Sequence, residues 1–162
     1  VDNHTIRSCS EGTETPGKYI SAIYRHLQIL ISDRLQPYRI GSGQYIFLLT
    51  IAKKEGISQK ALSKELLIDK TTTAKAIKKL EAEGYVQRET DPNDKRYHLL
   101  YLTESGGLVV PKIQTVLDEI HEKSRAGMDD DEYALMLSLL EKMLCNVSEQ
   151  VLQRRINDDS TP

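Results

Sequence analysis

Apolar residues recur at helical spacing along most of this chain, and the breaks in that rhythm divide it into elements. Ile20, Ile23, Tyr24, Leu27, Leu30 and Ile31 keep the 3.6-residue period up to Pro37, predicting a long helix over 17–36 with a wide apolar stripe. The loop "YRIGSG" (38–43) follows, with Ser42 the expected N-cap of a second helix over 44–54 that Gly56 stops. Ser58 is placed to cap a third, short helix over 58–66, whose Ala61, Leu62 and Leu66 share one side. Asp69 is the next natural N-cap, its carboxylate able to accept from the amide of Thr71 or Thr72. Beyond it Thr73, Ala76, Ile77 and Leu80 hold the i, i+3, i+4, i+7 pattern of a core-facing stripe. Lys70, Thr71, Thr72, Ala74, Lys75, Lys78 and Lys79 then turn outward, until Gly84 ends the helix.

After Gly84 the period changes. "YVQRET" and "YHLLYLT" are short β-prone stretches, and the dense turn signal "DPNDKR" (91–96) between them predicts a two-stranded hairpin with a charged tip. Two strands alone are marginal in water, so this hairpin must pack on the helices beside it. Helical spacing returns over 104–127 through Leu108, Val109, Ile113, Val116, Leu117 and Ile120, with Pro111 near the start. A last helix begins at Asp129 and Glu132, a capping-box pair, and runs through Leu137, Leu140, Leu144, Val147 and Val151.

Composition describes an ordinary globular protein, with 39% apolar and 28% charged residues. The longest apolar run, "YIFLLTIA" (45–52), falls far short of the roughly 20 residues a membrane span needs. The first residues have no apolar h-region, so no secretory signal is read there, and a cytoplasmic location is expected. Cys9 and Cys145 form no CxxC pair, and His4, His26, His98 and His121 are dispersed, so no metal or other cofactor is expected. No glycine-rich phosphate loop or nucleophile motif points to an enzyme.

Charge distribution matters more than the formal net charge of −2. Residues 53–79 hold eight lysines and three acids, a net of +5, while residues 118–162 hold five basic residues and eleven acids, a net of −6. A local cationic face beside an acidic end suits an anionic partner.

Two short helices joined by a tight turn, 58–66 and 69–83, fit the helix-turn-helix plan, in which the second helix enters the DNA major groove. That plan gives the three threonines at 71–73 different tasks. Thr71 and Thr72 offer hydroxyls and methyls near the helix N-terminus, whereas Thr73 packs inward. Lys75 can reach a guanine edge or a phosphate, while Lys70, Lys78 and Lys79 suit phosphate. Ser58 and Gln59, opening the first helix of the motif, complete the candidate contacts there. At the hairpin tip Lys95 and Arg96 are placed for an adjacent minor groove, with Asp94 bracing Arg96.

The run "DKTTTAKAIKKLEAEGYVQRETDPNDKRYHLLYLTESG" (69–106) resembles the recognition helix and wing of the MarR/SlyA regulators. It carries their D-x-R wing motif as Asp94-Lys95-Arg96, and their L-x-L-T-x-x-G motif as Leu100 to Gly106. With "ISQKALSKEL" and the flanking helices, the resemblance spans roughly residues 16–156. It implies a mainly α fold with a two-stranded β-wing: a winged helix-turn-helix domain over 38–103, and a helical dimerisation region over 16–37 and 104–156. Residues 1–15 and 157–162 are expected to be tails, the first of them disordered.

The resemblance further implies a homodimer on a pseudo-palindromic double-stranded DNA operator, acting as a repressor in a bacterial or archaeal cytoplasm. It also implies a small aromatic or phenolic effector, and Tyr24, His26, Arg39 and Tyr45 fall on the segments that would line its cleft. The rival reading is a winged-helix protein-interaction module without DNA binding, which would not need so many exposed cations.

Overall fold

The computed structural model describes residues 15–92, 94, 95 and 98–159, with side chains up to residue 151. In order, the elements are α1 (Pro16–Leu35), a 3-10 turn (Gln36–Tyr38), α2 (Tyr45–Lys53), β1 (Ile57–Ser58), α3 (Gln59–Glu65), α4 (Lys70–Ala82), β2 (Val86–Thr90), β3 (His98–Leu102), α5 (Glu104–Ser124) and α6 (Asp130–Asp159). The chain divides into two compact units, the first ending at Ile120 and the second starting at His121.

The first unit is built around one core. Phe47, Leu48 and Ile51 of α2, Leu62 of α3, Ile77 and Leu80 of α4, and Ile113 of α5 are all buried. Leu35, Ile40, Val86 and Leu100 close it. Burying each such side chain stabilises by about 1.5–3 kcal/mol relative to exposure, which outweighs the modest helix propensity of a β-branched segment such as 71–73. Thr73 is fully buried in that core, its hydroxyl donating to Asp69 O at 2.9 Å, so its polar group costs nothing there.

The sheet differs from the expected two-stranded wing. It has three antiparallel strands in the order β1-β3-β2, with Ile57 opposite Leu100 and Ser58 opposite Leu99. The hairpin register sets Val86 opposite Leu102, Arg88 opposite Leu100 and Thr90 opposite His98. The extra strand explains how a marginal hairpin holds: β1 pins its inner strand to the segment between α2 and α3.

Three further expectations are corrected. Ser42 does not cap α2; Gln44 is the N-cap residue, and its side-chain Oε1 accepts from the Gly41 amide at 2.9 Å. That bond ties the loop back on itself, and the N-cap residue makes no side-chain bond to the amides of α2. Ala61 points to solvent rather than into the core, and the buried neighbour of Leu62 is Ser63, whose hydroxyl donates to Ile68 O at 2.5 Å. Leu108 of α5 is also exposed, whereas Val109, Ile113, Val116 and Ile120 are buried.

In the second unit, Asp129 and Glu132 form the reciprocal capping box. Asp129 N donates to Glu132 Oε2 at 3.0 Å, and Glu132 N donates to Asp129 Oδ1 at 2.8 Å. Along α6, Leu137, Leu140, Leu144, Val147 and Val151 are all exposed. No helix among the described residues is long and apolar enough to cross a membrane.

Candidate nucleic-acid interface

The helix-turn-helix is assembled by two side-chain caps. Ser58 Oγ accepts from Ala61 N at 3.2 Å and starts α3. Asp69 starts α4, its Oδ1 accepting from Thr72 N at 2.8 Å and its Oδ2 from the Thr72 hydroxyl at 2.7 Å. These bonds, the Thr72 hydroxyl first, hold the Asp69 carboxyl below its ordinary range. Between the helices Leu67 takes a left-handed conformation, φ 55°, which closes the turn.

The caps sort the candidate residues. Thr71 is exposed, with its hydroxyl outside the Asp69 cap, while Thr72 has already committed its hydroxyl proton to Asp69. Of the predicted pair of base readers, Thr71 therefore keeps its donor for an incoming ligand, and Thr72 offers its methyl and oxygen lone pairs. Ser58 is half-buried and occupied as a cap, and Gln59 beside it is half-buried. Lys70, Lys75, Lys78 and Lys79 are all exposed on α4. Among the described residues, no carboxylate forms an ion pair with any of these four.

At the hairpin tip Lys95 is exposed and Asp94 is half-buried. Arg96, the predicted minor-groove residue and partner of Asp94, lies outside the described residues, as does Cys9.

The four expected effector residues lie on α1 (Tyr24, His26), after the 3-10 turn (Arg39) and at the start of α2 (Tyr45). Tyr45 is half-buried, and burial first, with Tyr24 second, pushes its hydroxyl pKa up. His26 is exposed, its Nδ1 bonded to Ala22 O of its own helix at 2.8 Å. Arg39 lies elsewhere, in an open depression between the end of α1 and the C-terminal end of α4 that Lys79 and Glu83 also line. Two groups that sequence reasoning missed appear there and beside it. Arg39 Nε pairs with Glu83 Oε2 at 3.0 Å, and Arg88 Nε of β2 pairs with Glu81 Oε1 at 2.8 Å. A local signal for them existed: two glutamates at the C-terminal end of a helix oppose its dipole and need compensation.

A family model described as "MarR family" matches residues 40–96, from the end of the first loop to the wing tip. The uncharacterized HTH-type transcriptional regulator YybA of Bacillus subtilis (strain 168) is 30% identical over 128 residues, covering 79% of this chain and 85% of that protein. The chain belongs to the MarR family of transcriptional regulators. A crystal structure of a MarR transcriptional regulator from Methanosarcina mazei Go1 is 41% identical to this MarR-family chain, covers 82% of it and 96% of its own, and superposes with a TM-score of 0.76. A mutant MarR from E. coli, crystallised with operator DNA, is 27% identical with a TM-score of 0.74, covering 79% of this chain and 92% of its own. The winged-helix fold is thereby that of the family, and the protein is a transcriptional regulator rather than an enzyme.

Proposed function

We propose that this MarR-family regulator is a homodimer that binds a pseudo-palindromic DNA operator through α4 and the wing, and represses transcription there. One observation carries the reading: α4 presents Lys70, Thr71, Lys75, Lys78 and Lys79 outward, with the four ammonium groups unpaired among the described residues. Keeping four cations uncompensated on one helix costs self-repulsion, which a polyanion repays. Thr71 and Lys75 lie on the first two turns, where a recognition helix meets base edges, and Lys70, Lys78 and Lys79 take phosphates. Ser58 and Gln59 border the same face, and Lys95 with Arg96 takes the adjacent minor groove, with Asp94 as brace. The E. coli MarR complex with operator DNA lends support to DNA binding as such.

Dimerisation rests on exposed apolar surface within each unit. Tyr19, Ile20, Ile23, Ile29 and Leu30 of α1 lie open in the single chain, and so do the leucines and valines of α6. Surfaces of this kind ask for a partner, and a second copy satisfies the two-fold symmetry of an inverted-repeat operator. Release by a small aromatic ligand is the finer part of the reading, and the half-buried Tyr45 phenol is the feature that favours it.

The test is fluorescence anisotropy with a duplex from upstream of the protein's own gene against a scrambled duplex, at two salt concentrations. Preferential binding with a steep salt dependence supports the reading. Failure to bind that duplex and any member of a random-sequence pool overturns it in favour of a protein-interaction module.

A further inference from the structure

The recognition helix closes on Lys78-Lys79-Leu80-Glu81-Ala82-Glu83. On a helix surface, residues three or four apart are neighbours, so Glu81 is within reach of Lys78 and Glu83 of Lys79. Neither pair forms. Glu81 is held at 2.8 Å by Arg88, from β2, and Glu83 at 3.0 Å by Arg39, from the turn after α1.

The Arg39–Glu83 contact brings together two locally disfavoured choices. Glu83 is the C-cap residue of α4, where the helix dipole repels a carboxylate. Arg39 sits at φ 55° and ψ 25°, a left-handed conformation that costs a non-glycine residue free energy. When both partners of one contact break local rules, a tertiary role is the economical explanation. The Glu83 side chain is only 18% exposed and that of Arg39 is 79% exposed, so the carboxylate is the sheltered partner of the pair. Lys79 lines the same depression.

We propose that Arg39 and Arg88 sort charge on the recognition helix. They hold Glu83 and Glu81 away from Lys79 and Lys78, so that both ammonium groups stay available to phosphate. The guanidinium suits this task because it is always charged and presents its donors in a rigid fork, whereas a lysine in its place would hold a carboxylate loosely. The two arginines are thus positioning residues for DNA binding, and the proposal rests on the reading of α4 as the DNA-facing helix.

Three variants test it: Arg39→Ala, Glu83→Gln and the two combined. With the cognate duplex, Arg39→Ala is expected to bind about tenfold more weakly at low salt and to lower the log–log salt slope by about one, because Lys79 turns to Glu83. Adding Glu83→Gln restores both, and Glu83→Gln alone binds like the parent. Parent-like affinity and slope in Arg39→Ala overturn the proposal. So does a double variant as weak as Arg39→Ala, which would make Arg39 itself the phosphate contact.

Lysine labelling of the free protein with a succinimidyl ester, read by mass spectrometry, gives an arm independent of DNA. Lys79 is expected to react more slowly in Arg39→Ala and normally in the double variant, since an ion-paired ammonium gives up its proton less readily. Unchanged labelling overturns the charge sorting. Arg39→Gly, which suits the left-handed backbone, guards against a folding defect in the alanine variant. A parent protein that binds no duplex would remove the DNA reading and leave charge sorting to be decided by the labelling.

Discussion

Gly106 faces the carbonyl of Tyr85 so closely that a Cβ on it would lie 2.1 Å from that oxygen. The same carbonyl accepts from Thr103 N at 3.1 Å, and the Thr103 hydroxyl donates to Gly84 O at 2.5 Å while accepting from Gly106 N at 3.0 Å. Thr103 thus caps α5 and seals it to the end of α4 with one side chain. The L-x-L-T-x-x-G run is the seam between recognition helix, wing and the following helix. At its other edge the Tyr85 hydroxyl donates to Tyr38 O at 3.0 Å, tying the end of α1 to the same point.

Gly106→Ala should therefore be costly. The obstacle is backbone, which cannot swing aside, so destabilisation at or above the upper part of the usual overpacking range of about 1–3 kcal/mol is expected. Gly107→Ala is the control, because nothing lies within 4 Å of a Cβ there and α5 gains a better helix former. Urea denaturation of the two variants decides it. Equal stabilities would mean that the seam yields and that Gly106 is not required for packing.

The Asp69 cap carries a pH dependence with a defined sign. Its carboxyl is held below the ordinary range in the folded protein by the Thr72 hydroxyl and amide, so the cap's contribution is complete above the unfolded value, about 3.9. It fades as pH falls below that value and through the lower folded one. Asp69→Ala is expected to lower the melting temperature by several degrees near neutrality and to converge on the parent in strong acid. A difference that stays constant down to the most acidic pH tested would place the effect elsewhere than in the carboxylate.

What was legible in the sequence was what local chemistry decides. Thr73, Ala76, Ile77 and Leu80 hold a strict helical repeat after an Asp, and that alone located α4, its cap and its outward face. β1 was invisible because two residues carry no period, and Ile57 and Ser58 become a strand only by meeting Leu100 and Leu99. Ser42 misled because α2 starts two residues later, at Gln44, whose side chain bonds the Gly41 amide of the loop and not the helix. The pairs Arg39–Glu83 and Arg88–Glu81 were only half legible, since the dipole conflict of the glutamates is local but their partners come from other elements.

A second copy of the chain should be held through α6. Leu140, Leu144, Val147 and Val151 recur at spacings of four, three and four, the seam of a helix that packs on another helix, and each is exposed in the single chain. Leu144→Glu places a charge on that seam without touching the core of the first unit. Light scattering is expected to show half the parent mass while circular dichroism keeps its helical signal. An unchanged mass would remove α6 from the interface.

The three consecutive threonines give the sharpest test of whether α4 reads DNA. Thr73 is buried, Thr72 donates its proton to Asp69, and Thr71 alone keeps an exposed hydroxyl with its donor uncommitted to the cap. Thr71→Val keeps shape and methyls but removes the hydroxyl, so it should cost binding at the cognate site with little change in stability. Thr72→Val should do the reverse, since it removes a bond of the cap. Lys75→Ala, one turn further on, is expected to cost about 1–3 kcal/mol at the cognate site if its ammonium meets a base, and to relax preference at that position. A loss equal on cognate and scrambled duplexes would assign Lys75 to phosphate, with the salt slope reduced by about one. Measured together by anisotropy and thermal melting, the three variants separate reading from folding on the first two turns of the helix. Equal binding by Thr71→Val and the parent would show that the hydroxyl reads no base.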